Sequence, residues 1–322
     1  MEERAMTEDV LSAVLRSVRI AGSLQFCVAA AGTWQTDATP RLGRGTGNPS
    51  PVVPFHVVAE GGCWLRIEGK EFNLEQGDVV AFPFGTGHAV GVGEDGMLIQ
   101  PSADLPPKPW SDIPVVRYGN GPPSLRLLCG YINLDALNFE PLKQSLPCLI
   151  HVKAYADDAG PLLRSAVQQM IAEANGKEAG GQSVLERLTE IILIELLRHE
   201  ILAQKISDRG LLSAMTDPVL GHCLAAIHGD PGKAWSVPTL AKASAVSRTI
   251  LEERFQNVLA TSPMRYVRDW RLYLASVALR GSKTPISRIA LEAGYGTEAA
   301  FNRAFSKSFG QPPVRWRTMG KT

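Results

Sequence analysis

The chain lacks any pair of cysteines in CxxC spacing, and its five cysteines (Cys27, Cys63, Cys129, Cys148 and Cys223) are an odd number. A disulfide framework is therefore not expected, and a reducing compartment, the cytoplasm, fits best. It also lacks a run of about 18 apolar residues, so no membrane span or membrane partner is expected. The N-terminus alternates charged and apolar residues and has no continuous apolar core, which excludes a signal peptide. No GxSxG, Walker loop or GxGxxG with an acidic partner occurs. His151, His199, His222 and His228 are scattered and form no motif. These absences remove the common enzyme classes and leave an ordinary globular composition, 45% hydrophobic and 20% charged over 322 residues, long enough for two domains.

The formal net charge is only +1, but its distribution is uneven. From Ser236 to the end there are 14 Lys or Arg against 5 Asp or Glu, and the remainder holds 19 basic and 27 acidic residues. One end of such a chain is suited to a polyanion; the alternative is a basic solvated surface.

The texture changes twice. Thr7 to Val18 reads as a short amphipathic helix with Thr7 as N-cap. From Leu24 to Val152, short alternating runs ("FHVVAE", "CWLRIEG", "EFNLEQ", "DVVAFPF", "LRLLCGYINLD") separated by Gly, Pro, Asn and Asp indicate a β-sandwich or barrel. "IEGKEF" reads as a hairpin turn and Ala103 to Pro123 as a Pro-rich surface loop. From Pro161 the period is helical, with a stripe of Leu162, Leu163, Ala166, Val167 and Met170. Ser183 to Ala203 is a helix apolar over a wide face, with Glu195 as the one charged member. It must be buried against the β domain, against a second copy of the chain, or both. "KISDRG" reads as a linker, and from Pro218 the chain is almost wholly helical.

Within the basic end one pattern occurs twice. A short helix with Ala (Leu240–Ala241; Ile289–Ala290) is followed by a small-residue turn (Ser244 to Val246; Ala293 to Tyr295) and a capping hydroxyl (Ser247; Thr297). A helix ending in Phe (Phe255; Phe305) comes next, then a Pro (Pro263; Pro312). This is the shape of a helix-turn-helix, whose second helix enters the major groove. In the second copy Phe301, Ala304, Phe305, Ser308 and Phe309 form the inner side. Glu298, Ala299, Asn302, Arg303, Ser306 and Lys307 form the outer. Asn pairs bidentately with adenine and Arg with guanine, whereas Lys307 suits phosphate. In the first copy the outer side is Arg248, Thr249, Glu252, Glu253 and Gln256, whose adjacent carboxylates repel phosphate though one can read cytosine. Pro263 to Leu279 reads as one connecting helix with Tyr266, Val267, Trp270, Leu274 and Val277 buried. Arg265, Arg268 and Arg271 along it suit phosphates, or pairs with Asp269 and Glu298.

The stretch from about Pro218 to Arg317, carrying "SPMRYVRDWRL", "ISRIALEAGY" and "FNRAFSKSFGQPP" in order, resembles the DNA-binding domain of the AraC/XylS family of bacterial transcription regulators. The resemblance implies that positions early in each reading helix contact bases: Thr249, Glu252 and Glu253, then Glu298, Ala299, Asn302 and Arg303. The two glutamates stand where Gln or Arg is commoner. Residues from about Val10 to Val152 resemble the family's cupin-like sensor domain. "GDVVAFPFGTGHAV" fits the second cupin motif, with Gly77, Pro83, Gly85 and His88 in place, while "FHVVAEG" keeps one histidine, His56, of a degraded first motif.

Alternation along "LRLLCGY" turns Leu125, Leu127 and Cys129 to one face, inward, and in a cupin barrel His56 and His88 point inward too. Three such groups can bind zinc, with water or another side chain as fourth ligand; the alternative is two satisfied histidines and a packed thiol. Glu60 falls in a turn, so the usual carboxylate ligand is missing, which argues against a cupin dioxygenase or isomerase.

The expected fold is thus α+β: a cupin-like sensor barrel (1–152), a helical linker or dimerisation segment (153–215) and an AraC-type DNA-binding domain with two helix-turn-helix units (216–322). The resemblance implies a homodimeric regulator of double-stranded promoter DNA, not an enzyme, controlled by a small-molecule effector with His56, Trp64 and His88 as ligand-binding residues. RNA polymerase is a further partner if the regulator activates. The competing reading is a metal-dependent cupin enzyme fused to a helical module, and a third is a barrel that only holds a dimer together.

Overall fold

The computed structural model describes residues 10–16, 20–39, 52–101, 103–107, 110, 112–157, 159–176, 178–203 and 209–319. Thr7 and most of the "KISDRG" linker lie outside them. Two compact units emerge. They do not follow the linear three-part division expected above. One, mainly β, comprises 20–134 and 147–200; the other, helical, comprises 1–19, 135–146 and 201–322.

The β unit carries eleven described strands in two sheets. In chain order they are β1 (Ile20–Ala30), β2 (Trp34–Asp37), β3 (Val52–Glu60), β4 (Gly62–Ile67), β5 (Lys70–Glu75), β6 (Asp78–Ala81), β7 (His88–Val92), β8 (Met97–Leu98), β9 (Val115–Tyr118), β10 (Leu125–Leu134) and β11 (Ile150–Lys153). The sheets run β11-β6-β3-β10-β1-β9 and β5-β4-β7-β2-β8. Alternation puts Cys63, Leu65 and Ile67 of β4 and Leu125, Leu127 and Cys129 of β10 into one core with Val28, Trp34, Phe82 and Val90. The "IEGKEF" turn is a two-residue hairpin with positive φ at both centres, Glu68 (49°) and Gly69 (74°), as a type I′ turn requires.

The Pro-rich loop expected over 103–123 contains a strand, β9, which pairs in parallel with Cys27 to Ala30 of β1. Only four residues long and flanked by Pro and Gly, it has too little alternation to be read locally. Two helices complete the unit, α3 (Pro161–Asn175) and most of α4 (Gly181–Ala203). Leu163, Ala166, Val167 and Met170 are buried along α3, but Leu162 is exposed. On α4, Leu185, Ile192, Leu193, Leu196 and Leu197 are buried, Glu195 pairs with Arg198 at 2.6 Å, and Val184 and Leu202 are exposed.

The helical unit contains α1 (Val10–Arg16), a 3₁₀ turn (Asp135–Asn138), α2 (Glu140–Lys143), α5 (Leu211–Thr216), α6 (Pro218–Gly229), α7 (Val237–Ala243), α8 (Arg248–Leu259), α9 (Pro263–Gly281), α10 (Ile286–Glu292), α11 (Glu298–Phe309) and α12 (Pro313–Met319). α7–α8 and α10–α11 are the two helix-turn-helix pairs. Ser236 starts α7 with a reciprocal capping box, Ser247 caps α8 and Thr297 caps α11, each through a side-chain oxygen that accepts from a backbone N–H of the first turn. Both turns need a left-handed residue, Ala245 (φ 54°) in the first and Gly294 (φ 81°) in the second. The left-handed φ favours glycine at 294, where a Cβ would also stand 2.7 Å from Arg271 Nη1 and push that guanidinium aside.

The 19-residue α9 joins the pairs and spans about 28 Å. Tyr266, Val267 and Trp270 are buried on it as expected, but Leu272, Tyr273 and Ala275 are buried too, while Leu274 and Val277 are only partly covered. The helix serves two cores on two sides, so a single stripe does not describe it. The second core joins Leu272, Leu279, Ile289, Phe301, Phe305 and Trp316. The first gathers Phe255, Tyr266, Trp270, Tyr273 and His228, together with Phe139, whose ring comes from the segment between β10 and β11.

Candidate functional site

The outer faces of the two reading helices are exposed except at Asn302 and Ser306, which are half-buried. Ser308, expected on the inner side, is exposed. Arg248, Thr249, Glu252 and Glu253 on α8 and Glu298, Ala299, Arg303 and Lys307 on α11 are exposed. Their rings face inward: Phe255, Phe301 and Phe305 are fully buried, and Phe309 is half-covered against Phe305 and Trp316. Asn302 is half-buried and its Oδ1 is buried without a partner, so its amide is not presented whole for a bidentate adenine contact. Ile250, beside Thr249, is an exposed apolar side chain on the reading helix.

The arginines along α9 divide. Arg268 donates to Asp269 Oδ1 at 2.8 and 3.0 Å, and Arg265 pairs with the same carboxylate at 3.7 Å. Arg271 is held inside the unit, donating to the carbonyls of Pro231 and Lys233 at 2.7 Å each. It is a structural clamp on the α6–α7 loop.

In the β unit, His56, His88 and Cys129 meet, but in a row. His88 Nδ1 lies 2.9 Å from the Thr86 carbonyl, which can only accept, so Nδ1 carries the proton. Burial holds the pKa of both imidazoles below its ordinary value, well below for His56, so both are neutral near pH 7. His88 Nε2 then accepts from His56 Nε2–H at 2.9 Å, and His56 Nδ1 accepts the Cys129 S–H at 3.1 Å. Burial pushes the Cys129 thiol well above its usual pKa, in keeping with a protonated sulfur. The His88 ring stacks on Phe82 at 3.6 Å.

The row has the geometry of the second alternative, two satisfied histidines and a packed thiol. His56 turns its two ring nitrogens to different partners, so the three groups converge on no common point. No group of three or more His, Cys, Asp or Glu able to hold a metal occurs among the described residues.

Cys129 and His56 line a cavity of about 160 Å³ between the two sheets, together with Phe26, Val28, Trp34 and Thr36. Trp64, expected in it, lies on the opposite face of β4. Its indole N–H donates to the Gly93 carbonyl at 2.8 Å, and the Arg66 guanidinium lies 4.2 Å above its ring. The tryptophan that does line the cavity is Trp34, fully buried on the four-residue β2, whose indole nitrogen has no partner. The signal for it was the alternation Trp34, Thr36 ahead of a turn, too short to establish phase. A second, open groove of about 890 Å³ runs along β1 and β9 beside α3 and α4, with Arg117 and Arg126 on one wall and Glu173 and Glu178 on the other.

Residues 9–201 match a family model described as Cupin, and residues 240–319 match one described as a helix-turn-helix domain. An HTH-type transcriptional regulator of Haemophilus influenzae is 30% identical over 314 residues, 96% of this chain and 98% of the relative. An AraC-like transcription regulator of Streptomyces lividans is 28% identical over 319 residues, again 96% of this chain and 98% of the relative. Among solved structures, ToxT from Vibrio cholerae O395 aligns with 95% of this chain and 99% of its own at 8% identity, with a TM-score of 0.38.

Proposed function

The chain belongs to the AraC-like transcriptional regulators that join a cupin domain to a helix-turn-helix DNA-binding domain, and we propose that a small molecule held between its two β-sheets controls where it binds promoter DNA. Its function is DNA-binding transcription regulation; the reading as a cupin enzyme is not favoured, since relatives matched over their full length are regulators.

The observation that carries the control reading is the cavity around His56, Cys129, Trp34 and Thr36. At about 160 Å³ it is below the ~300–1,000 Å³ usual for ligand sites, which favours a compact effector. Its wall mixes apolar side chains with the Thr36 and Thr39 hydroxyls, Asp37, Tyr131 and the thiol–imidazole row, so recognition combines shape with several polar contacts. Selecting bound sequences from random DNA, with and without candidate metabolites, tests both halves. An operator set unchanged by every metabolite that protects the β unit from unfolding would remove the control reading and leave the DNA reading standing.

On the reading helices, Arg303 is the free guanidinium best placed for guanine, and Arg303→Ala is expected to weaken specific binding by about 1–3 kcal/mol and relax one base position. Equal losses on operator and unrelated DNA would assign it to phosphate instead. Arg248 and Lys307 suit phosphate, while Thr249, Glu252, Glu253, Glu298, Ala299 and Asn302 stand at base-facing positions by resemblance. A homodimer through α4 is supported by its exposed Val184 and Leu202. Sedimentation of the full chain and of Leu202→Glu tests that reading, an unchanged mass contradicting it. RNA polymerase is the further partner where a promoter is activated.

No helix among the described residues is long and apolar enough to cross a membrane.

A further inference from the structure

β10 forms one wall of the cavity through Leu127, Cys129 and Tyr131 and ends at Leu134. The next twelve residues, Asp135–Leu146, belong to the helical unit, and the chain returns to the first sheet at β11. Both ends of this excursion are fixed by strand pairing, β10 between β1 and β3 and β11 against β6. Ten residues after Cys129, Phe139 is 1% exposed inside the first helix-turn-helix core. Its ring centroid lies 5.1 Å from Trp270, 5.5 Å from Tyr273 and 5.6 Å from Tyr266. Ala136, Leu137, Leu142 and Leu146 are buried beside it.

Two routes lead from this excursion to the first reading helix. Phe139 packs on Tyr266, whose ring meets Phe255 of α8 at 6.0 Å. Ser145 Oγ accepts from the Leu211 N–H and donates to the Pro141 carbonyl. The neighbouring Gly210 N–H donates to the carbonyl of Val258, near the end of α8, at 2.7 Å. Gly210 has φ 101°, and a Cβ there would stand 2.8 Å from Ser145 Oγ, so the approach is as close as backbone allows.

We propose that Phe139 is a positioning residue through which the state of the cavity strand sets α8, and with it operator affinity. The inference rests on the control reading above. A shift of β10 along its own axis is passed on at its C-terminal end to the segment that carries Phe139, whose ring packs on Tyr266 of α9 and through it reaches Phe255 of α8. Close packing makes such a core switch between discrete arrangements rather than deform smoothly.

The test is a double-mutant cycle on the full chain, read as affinity for operator DNA selected from the random pool. Cys129→Leu fills the cavity and breaks the thiol–imidazole row, and serves as the perturbation in place of the effector. In the wild-type background it is expected to change operator affinity by about 5-fold or more, the range of ordinary site-to-site coupling. In a Phe139→Leu background, with folding checked by melting, the same change is expected to shrink to within about 2-fold, the scatter of independent sites. Phe139→Tyr is expected to restore it. If Cys129→Leu does not fold, Thr36→Val on the opposite cavity wall replaces it. An undiminished cavity effect in Phe139→Leu overturns the positioning role and leaves the control reading intact. No cavity effect in the wild-type background overturns both.

Discussion

Phe305→Ala is expected to destabilise the second helix-turn-helix unit by about 3–5 kcal/mol. The ring is fully buried and meets Phe301 at 5.5 Å, Phe309 at 4.5 Å and Trp316 at 5.8 Å. Its loss removes the fully buried ring that joins the rest of α11 to Trp316 of α12, leaving only the half-covered Phe309 in contact with that indole. A domain is stable by only about 5–15 kcal/mol, so the loss is a large part of the total. Amide exchange along α11 should accelerate toward the unprotected rate and specific DNA binding should fall with it, while α8 keeps its protection. Phe309→Ala, at a half-covered ring, should cost less. Exchange on α11 unchanged by Phe305→Ala would contradict the burial.

Acid should unfold the first unit through His228. Burial pushes its pKa down to about 3; Nε2 pairs with Tyr266 Oη at 2.8 Å, and Nδ1 is buried without a partner. Unfolded, the imidazole takes up a proton near its ordinary 6.5, while the folded state refuses it until about pH 3. Between those values the unfolded chain binds more protons, so stability falls as pH falls, by roughly 1.4 kcal/mol per pH unit at most. Over the whole window the loss is on the order of 5 kcal/mol. The ring stacks on Trp270 at 4.0 Å and an interplanar angle of 4°, so His228→Phe can keep the packing and should flatten the acid limb. A variant that melts in acid as the wild type does would place the sensitivity elsewhere, with His56 and His88 of the barrel the next candidates.

The helix-turn-helix pairs were legible because their determinants are local: a hydroxyl cap, a small turn and rings four residues apart all fall within about 20 residues of one another. The inward phase of Leu125, Leu127 and Cys129 followed from alternation alone, as did the meeting of His56, His88 and Cys129 once a cupin barrel was assumed. What the three do there did not follow, because a row and a converging set share the same strand positions and differ in ring rotation. Trp64 faces away from the cavity because Cys63, Leu65 and Ile67 hold the inner phase of β4. Asn302 is turned partly inward by rotation about its own side chain, which no spacing reports. β9 was missed because parallel pairing to β1 is made by a distant stretch of chain.

Phe139 was illegible for a related reason: its partners lie about 90 to 130 positions further along the chain. During synthesis the ring therefore leaves the ribosome long before the helices that enclose it. The first sheet can form around β10 and close with β11 while this loop still waits, and the reading head must later condense on it. Such distant closure is slow, because loop entropy must be lost before contacts repay it. Residues 240–319 made alone, the span that the family model matches, would emerge without that ring and without α6. A truncated reading head should then assemble with an aromatic socket left open, prone to filling it with a neighbour's side chain.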